Sequence, residues 1–198
     1  KGADLVVRIA KARPQIRFQF LETWSESEPQ TFEIKSAISL LPNAACYESQ
    51  ADLSPFFLQT RLLLMPSRSQ ESWGRMASEA QTCGIPVLAS SRGNLPETVG
   101  SGGVCLDPDA PFEHWLKIFD RIMADDAFHA KLSAAALENA ARLRMRAEAA
   151  FADFQRALLE ASYSRDAEIN ADGFAIDTMH IPITQPKIKL FVRFRIAR

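Results

Sequence analysis

Short apolar runs alternate with segments of helical periodicity over most of this chain. Each apolar run has the length of one strand, and each helical segment is long enough to cross back over a sheet. The candidate strands are Ile16–Leu21, Ala44–Tyr47, Arg61–Met65, Ile85–Ala89 and Gly103–Leu106. The helical segments among them are Gly2–Ala12, Phe32–Leu41 and Trp73–Cys83. This order predicts an α/β fold, with a parallel sheet and helices on both of its faces.

The clearest elements lie in the middle of the chain. The run Arg61–Met65 is almost uniformly apolar, which is typical of a strand covered on both faces. The helix that ends near Cys83 is followed by Gly84, which suits a left-handed cap, and by Pro86, which cannot continue a helix. Ser54 before Pro55 predicts another helix start, because Ser can accept free backbone N–H groups and Pro fits the first turn.

Two helical segments follow the last candidate strand. The first begins near Pro111 and carries an apolar face made of Trp115, Ile118, Phe119 and Ile122. The second runs over about residues 127–162 and has an apolar stripe made of Leu143, Ala147, Phe151, Phe154 and Leu158. We therefore expect a compact domain over residues 1–160 and an unassigned tail over residues 161–198.

The tail ends in a stretch, residues 187–196, in which apolar and basic residues alternate. This period of two predicts a strand, either at a sheet edge or at the start of a further domain. The basic side chains also leave open a peripheral contact with anionic lipid. No apolar run in the chain approaches the roughly 20 residues that span a bilayer.

Composition narrows the classes of function. The 198 residues are 47% hydrophobic and 24% charged, as in an average globular domain. The formal net charge of -1 argues against a nucleic-acid binder, because neutralising phosphates needs a basic surplus. The cysteines Cys46, Cys83 and Cys105 have apolar surroundings and no paired spacing. This pattern predicts buried thiols in a reducing compartment rather than disulfides or a metal site.

The junction between Met65 and the following helix carries the clearest chemistry. Ligands of open parallel sheets bind where strands end and helices begin. A helix N-terminus presents unpaired N–H groups and a partial charge of about +0.5, which suits a diphosphate. Gly74 allows the backbone to approach a ligand closely. If the segment is mostly helical, Glu71 and Glu79 lie about 12 Å apart along its axis. They are then too far apart to act on one bond, but they could hold the two ends of an extended ligand, with sugar hydroxyls at Glu71 and ribose hydroxyls at Glu79. Two Glu at this spacing are common in helices, so the surrounding motifs must decide.

Several motifs here resemble the carboxy-terminal domain of GT-B glycosyltransferases. They are Pro66-Ser67, Glu71-Ser72-Trp73-Gly74, Glu79-Ala80, residues 84–90, and Gly93-Asn94-Leu95-Pro96-Glu97. The pattern is most similar to glycosyltransferase family 4, also called glycosyl transferases group 1, whose signature is two Glu residues separated by seven positions. The resemblance covers about residues 1–141. It implies a Rossmann-like domain that forms the carboxy-terminal half of a GT-B fold.

The resemblance also implies an activity. It is retaining transfer of a sugar from a nucleotide-diphosphate sugar to a glycan or lipid-linked acceptor, with no metal ion or other cofactor. Glu71 would be the catalytic residue at the donor sugar, and Glu79 would hold the ribose. Lys1 would pair with the diphosphate, because Lys1-Gly2 resembles the end of the family's Arg…Lys-Gly element. The remaining donor contacts would come from backbone N–H groups of Trp73, Gly74 and Arg75. The base would lie near residues 46–48.

The chain departs from the family pattern in three ways. The family's first strand, with its Arg, would precede Lys1, and the second Gly of the usual Gly-Gly pair is Asn94. The amino-terminal domain that would hold the acceptor site is also missing from the sequence. We therefore expect the chain alone to bind donor without catalysing transfer. The family's usual pathways imply polysaccharide biosynthesis in the cytoplasm, at the inner face of the membrane.

Two other functions stay open. A degenerate domain that acts only as an interaction module would keep the fold, although the presence of both Glu residues disfavours it. A sugar-nucleotide epimerase shares the architecture, but no sequence feature favours it over transfer.

Some polar residues have simpler structural interpretations. Glu97 is expected to bond backbone near the turn at Leu95-Pro96. Asp107 and Asp109 resemble a metal-binding pair, but capping of the next helix is the preferred interpretation.

Overall fold

The computed structural model describes residues 2–21, 29–50 and 52–172. Within these residues the strands are β1 Phe18–Leu21, β2 Ala44–Tyr47, β3 Leu63–Met65, β4 Val87–Ser90 and β5 Gly103–Leu106. The helices are α1 Ala3–Ala12, α2 Pro29–Ser39, α3 Ser54–Phe57, α4 Arg75–Thr82, α5 Leu95–Val99, α6 Phe112–Ala124 and α7 Asp126–Asp172. All five predicted strands are present. Helix α5 begins where the sequence predicted only a turn, with Pro96 in its first turn.

The strands form two parallel sheets, one of β1 and β2 and one in the order β3-β4-β5. Phe18 lies opposite Ala44 in the first sheet, and Leu88 lies between Leu64 and Val104 in the second. The predicted parallel α/β fold is confirmed. In the described part of the chain no ladder joins the two sheets.

Both sheets contribute to one hydrophobic core. Phe18 of β1 stacks on Phe119 of α6, with ring centroids 5.8 Å apart. Leu88 of β4 lies in the same cluster, as do Trp115 and Ile122 of α6. The predicted apolar face of α6 is therefore the face that the core buries.

Strand β4 is the most deeply buried strand. All four of its residues are buried, because it pairs with a neighbour on each side and lies in the middle of its sheet. Strand β3 is an edge strand of that sheet, and its three residues are only half-buried. The prediction of a strand covered on both faces is therefore wrong for β3 and describes β4.

The predicted helix start at Ser54-Pro55 is confirmed, because α3 begins at Ser54 with Pro55 in its first turn. The capping role of Ser54 is wrong: Leu53 occupies the N-cap position, and the Ser54 backbone N–H donates to Asp52 Oδ1 at 2.9 Å. The prediction of buried cysteines is also wrong at two positions. Cys46 and Cys83 are exposed, because Cys46 lies in the edge strand β2 and Cys83 follows the end of α4. Cys105 is half-buried, and burial raises the pKa of its thiol to about 11.

Helix α7 continues past the first of two compact units, which are residues 1–150 and residues 151–198. In the first unit Leu132, Ala136 and Leu143 of α7 are buried. In the second unit Phe151 and Phe154 are exposed, as is Leu158. The predicted domain end at residue 160 stays a prediction, and residues 187–196 lie outside the described residues.

In the described part of the chain, no helix combines the length and hydropathy needed to cross a membrane.

A buried amide network holds α7 against α4 and α5. Asn139 Nδ2 donates to Gln81 Oε1 at 2.6 Å and to the Thr98 carbonyl at 2.8 Å. Gln81 Nε2 in turn donates to the Val99 carbonyl at 2.8 Å. Because these groups are shielded from water, a lost donor leaves its acceptors unpaired.

We predict that Asn139→Ala lowers the free energy of unfolding by about 2–3 kcal/mol, because buried acceptors on Gln81 and α5 lose their donor. Urea denaturation of both proteins measures the change. Glu138→Ala, at an exposed position on the same helix, is the matched control and should have little effect. Equal losses for the two variants would contradict the prediction.

Glu97 pairs with α7 rather than with the backbone of its own turn, which corrects the sequence interpretation. Its carboxylate accepts hydrogen bonds from Arg142 and Arg146, and Arg142 also donates to the Glu97 carbonyl at 3.2 Å. The hydrogen bond from Arg142, followed by that from Arg146, lowers the pKa of Glu97 from its ordinary value of 4.5.

We predict that Glu97→Gln lowers the thermal midpoint at pH 7 and that this deficit disappears in acid. Because the pKa of Glu97 is lower in the folded state than in the unfolded chain, its ionised carboxylate stabilises the fold above pH 4.5. This contribution is lost as the pH falls through the pKa of Glu97 in the folded state. Thermal melts of both proteins from pH 7 to pH 3 measure it. Because the pair is exposed, added salt should also shrink the deficit. A deficit that does not change with pH would contradict the assignment.

Candidate functional site

The loop of residues 66–74 joins the carboxyl end of β3 to the first residue of α4. It ends at Gly74, which occupies the N-cap position of α4 with a positive φ of 74°. A side chain there would also collide with Leu95 of α5. The sequence assigned this Gly to close approach of a ligand, whereas the structure shows that backbone conformation and packing on α5 already require it.

Glu71 is held within this loop at both its side chain and its backbone. Its Oε1 accepts a hydrogen bond from Ser67 Oγ at 2.7 Å. Its carbonyl accepts one from the Asn94 backbone N–H at 2.8 Å. Glu71 is half-buried, so its side chain is fixed by the fold and still partly accessible to solvent.

The turn after β4 lies directly on this loop. Gly93 has a positive φ of 60°, and a Cβ there would overlap the backbone of Glu71. Adjacent parallel strands place their following loops at the same sheet edge, and here the two loops are in backbone contact. Sequence reasoning used Gly93-Asn94 as a family motif but missed that these residues hold Glu71.

Helix α5 fixes the end of the loop. Thr98 Oγ1 donates a hydrogen bond to the Trp73 carbonyl. The Trp73 side chain is 42% exposed, and its Nε1 donates to Ser78 Oγ at 3.3 Å. Its indole ring is therefore not a core packing group, and its carbonyl is held from behind by α5.

Arg75 and Glu79 lie one turn apart on α4. Arg75 Nε and Glu79 Oε1 are 3.3 Å apart, and the Arg75 side chain is largely exposed. Glu71 lies four residues before α4 begins, so the separation of 12 Å expected for a mostly helical segment does not apply. Five of the predicted donor contacts, at Glu71, Trp73, Gly74, Arg75 and Glu79, lie in the end of this loop and the first two turns of α4.

The start of α1 contacts the same loop. Gly2 has a positive φ of 83°, and a Cβ there would overlap the Pro66 carbonyl. Arg68 of the loop pairs with Asp4 of α1 at 2.6 Å. Lys1 itself lies outside the described residues, so its predicted contact with a diphosphate stays a prediction. The N-terminus of α1 is thus adjacent to the loop that carries Glu71.

The proposed base region lies at the end of β2. Tyr47 there packs edge-on against Phe56, with ring centroids 5.1 Å apart. The placement of a base near residues 46–48 stays a prediction.

The two aspartates after β5 do not cap α6. Pro111 occupies the N-cap position of α6, and no side chain caps that helix end. Asp107 Oδ1 instead accepts the Asp109 backbone N–H at 2.9 Å, and Asp109 pairs with Arg92 at 3.2 Å. The predicted helix cap is therefore wrong, because these side chains stabilise the preceding turn. The described residues contain no group of three or more His, Cys, Asp or Glu residues that could hold a metal ion.

Solved structures share this fold. Sucrose-phosphate synthase from Thermosynechococcus elongatus has a TM-score of 0.70 and 23% identity, over 81% of this chain and 43% of that one. HepE from Anabaena, solved in complex with UDP and glucose, has a TM-score of 0.63 and 21% identity, over 72% of this chain and 40% of that one. At these identities the likeness concerns the fold alone.

Sequence comparison identifies the family. A D-inositol 3-phosphate glycosyltransferase from a Nocardioides species is 37% identical over 94 residues, which are 46% of this chain and 20% of that protein. This chain therefore spans far less than the full length of that relative. The family model described as glycosyl transferases group 1 matches residues 5–142. This match covers more than half of the chain, which therefore belongs to the glycosyl transferases group 1 family.

Proposed function

We propose that this chain forms the donor-binding part of a retaining glycosyltransferase that uses a nucleotide-diphosphate sugar. The observation that carries the proposal is the loop of residues 66–74. This loop packs closely against Gly2 and Gly93, accepts a hydrogen bond from the Asn94 N–H, contains Glu71, and leads directly into the N-terminus of α4.

The electrostatics of this junction suit a diphosphate. The first turn of α4 has backbone N–H groups without partners inside the helix, and a partial charge of about +0.5. The exposed Arg75 side chain, which pairs with Glu79 at 3.3 Å, places a cationic group at the same helix end. In this proposal amide groups and basic side chains neutralise the diphosphate, and no metal ion or other cofactor takes part.

The same groups can assist the reaction. When the bond between the anomeric carbon and the phosphate oxygen breaks, the nucleotide diphosphate leaves with additional negative charge. Fixed N–H groups directed at that charge stabilise the transition state without having to reorganise. Glu71, held by Ser67 and Asn94, would bind hydroxyl groups of the transferred sugar and keep its anomeric carbon in place.

The comparisons support this proposal at the level of family and fold. Relatives carry glycosyltransferase names, and a structural neighbour was solved with UDP and glucose. The acceptor, which we propose to be a glycan or a lipid-linked molecule, would bind to a part of the protein that this chain does not contain. A role in polysaccharide biosynthesis at the cytoplasmic face of the membrane belongs to the same proposal.

We predict that Glu71→Gln weakens binding of a sugar nucleotide about 10-fold and leaves binding of the free nucleotide diphosphate unchanged. The lost interaction is a hydrogen bond from a sugar hydroxyl to a charged carboxylate. Calorimetric titrations with UDP-glucose, UDP-N-acetylglucosamine and GDP-mannose, each against UDP or GDP, measure the ratio. Glu138→Gln on α7 is the matched control. An unchanged ratio would remove Glu71 from the sugar site.

We predict that Glu79→Ala weakens the binding of free UDP or GDP and the binding of the matching sugar nucleotide by the same factor, about 10-fold. The reason is that the proposed partners of Glu79 are the ribose hydroxyls, which both ligands carry. The 2′,3′-dideoxy nucleotide diphosphate lacks those hydroxyls, so its affinity should not change. A loss that is equally large for the dideoxy ligand would show that Glu79 acts through Arg75 or through the fold, and not through the ribose.

The same titrations separate the alternatives. If no nucleotide binds to the full-length protein, an interaction module is favoured over a donor site. An epimerase would change the configuration of the bound sugar without any acceptor, which nuclear magnetic resonance of the incubated sugar nucleotide detects.

A further inference from the structure

We propose that Ser67 is a positioning residue that orients the Glu71 carboxylate toward the donor sugar. This inference rests on the proposed function, because it gives Ser67 a task only if Glu71 binds the sugar. Two contacts of Ser67 support it: its side chain is hydrogen-bonded to Glu71, and its backbone is hydrogen-bonded to the core strand β4.

The Ser67 hydroxyl is directed at the carboxylate. The residue is only 3% exposed, and its Oγ lies 2.7 Å from Glu71 Oε1. The other acceptor in reach, the Ser69 carbonyl, is 3.5 Å away, which is long for a hydroxyl donor. A hydroxyl has one proton, so Ser67 donates it to the carboxylate, in the stronger, charge-assisted kind of hydrogen bond.

The backbone of Ser67 is itself fixed by the core. Its N–H donates to the Met65 carbonyl at 2.9 Å. Its carbonyl accepts a hydrogen bond from Ser90 Oγ at 2.6 Å, and Ser90 is a completely buried residue of β4. Ser67 therefore connects the most deeply buried strand of the sheet to the carboxylate of Glu71.

The backbone of Glu71 is fixed separately, by the Asn94 N–H and the close contact with Gly93. With the backbone held, the torsions of the Glu71 side chain are the freedom that remains. Ordering such a side chain at the moment of binding costs free energy, and a hydrogen bond present beforehand removes part of that cost. The contribution of Ser67 should therefore appear only when a ligand contacts the carboxylate.

The test is a double-mutant cycle in the full-length protein. Ser67→Ala, Glu71→Ala and the double variant are titrated with the sugar nucleotide that binds best in the panel above, and with its free nucleotide diphosphate. We expect Ser67→Ala to lower the affinity for the sugar nucleotide about 5-fold to 10-fold while changing the affinity for the free diphosphate less than about 2-fold. In the Glu71→Ala background, Ser67→Ala should cause no further loss of affinity for the sugar nucleotide.

Two controls separate positioning from a general structural effect. Ser69→Ala removes a hydroxyl from an exposed position of the same loop and should leave both affinities unchanged. Ser67→Cys keeps a side chain at this position, somewhat larger than that of Ser, but supplies only a weak donor. It should therefore reproduce the effect of Ser67→Ala if the lost hydrogen bond, and not the lost side-chain volume, is the cause. Thermal melts of all variants check that they are folded.

The outcomes are distinguishable. Equal losses for the sugar nucleotide and the free diphosphate, or a further loss in the Glu71→Ala background, would overturn the positioning role. If Glu71→Ala lowers sugar-nucleotide binding selectively and Ser67→Ala does not, this inference fails and the proposed function stands. If neither variant changes the ratio of the two affinities, the proposed role of Glu71 fails, and the role of Ser67 fails with it.

Discussion

The parallel pairing of β4 with both of its neighbours supports the core and the candidate site together. Leu88 belongs to the larger hydrophobic cluster, while Val87 and Ala89 belong to a second cluster with Leu95. Ser90 at the end of the strand donates to the loop that carries Glu71. Because the strands are parallel, the loops after β3 and β4 emerge at one edge, and burial of β4 fixes their relative position.

Helices α5 and α7 also support the candidate site, through hydrogen bonds and ion pairs. Helix α5 holds the Trp73 carbonyl through Thr98, and α7 holds α5 through Asn139 and the arginines that pair with Glu97. The site loop makes these contacts with elements that follow it by 20 residues or more. Such a loop is ordered before a ligand arrives, which lowers the free-energy cost of binding.

Shared architecture alone does not decide what this chain does. Proteins with one α/β fold carry many activities, and the chemistry lies in the few residues at the sheet edge. Here those residues are a carboxylate held by a buried hydroxyl, a helix N-terminus and an exposed arginine. The arrangement is suited to an anionic ligand with a hydroxyl-rich end, which is how family membership and local geometry support the same proposal.

Much of the fold follows from local patterns, because strand and helix periods are properties of neighbouring residues. The five strands, the buried face of α6 and the helix that follows Glu71 could all be predicted in this way. Contacts between distant segments could not, since they depend on which strands pair. Gly93 against Glu71, Ser90 against Ser67 and Glu97 against Arg142 join residues 22 to 45 positions apart along the chain. The sequence by itself thus determined most of the strands and helices and the chemical groups of the candidate site. The tertiary structure decided how exposed Cys46 and Cys83 are and how Glu71 is held. These two properties depend on packing between remote parts of the chain.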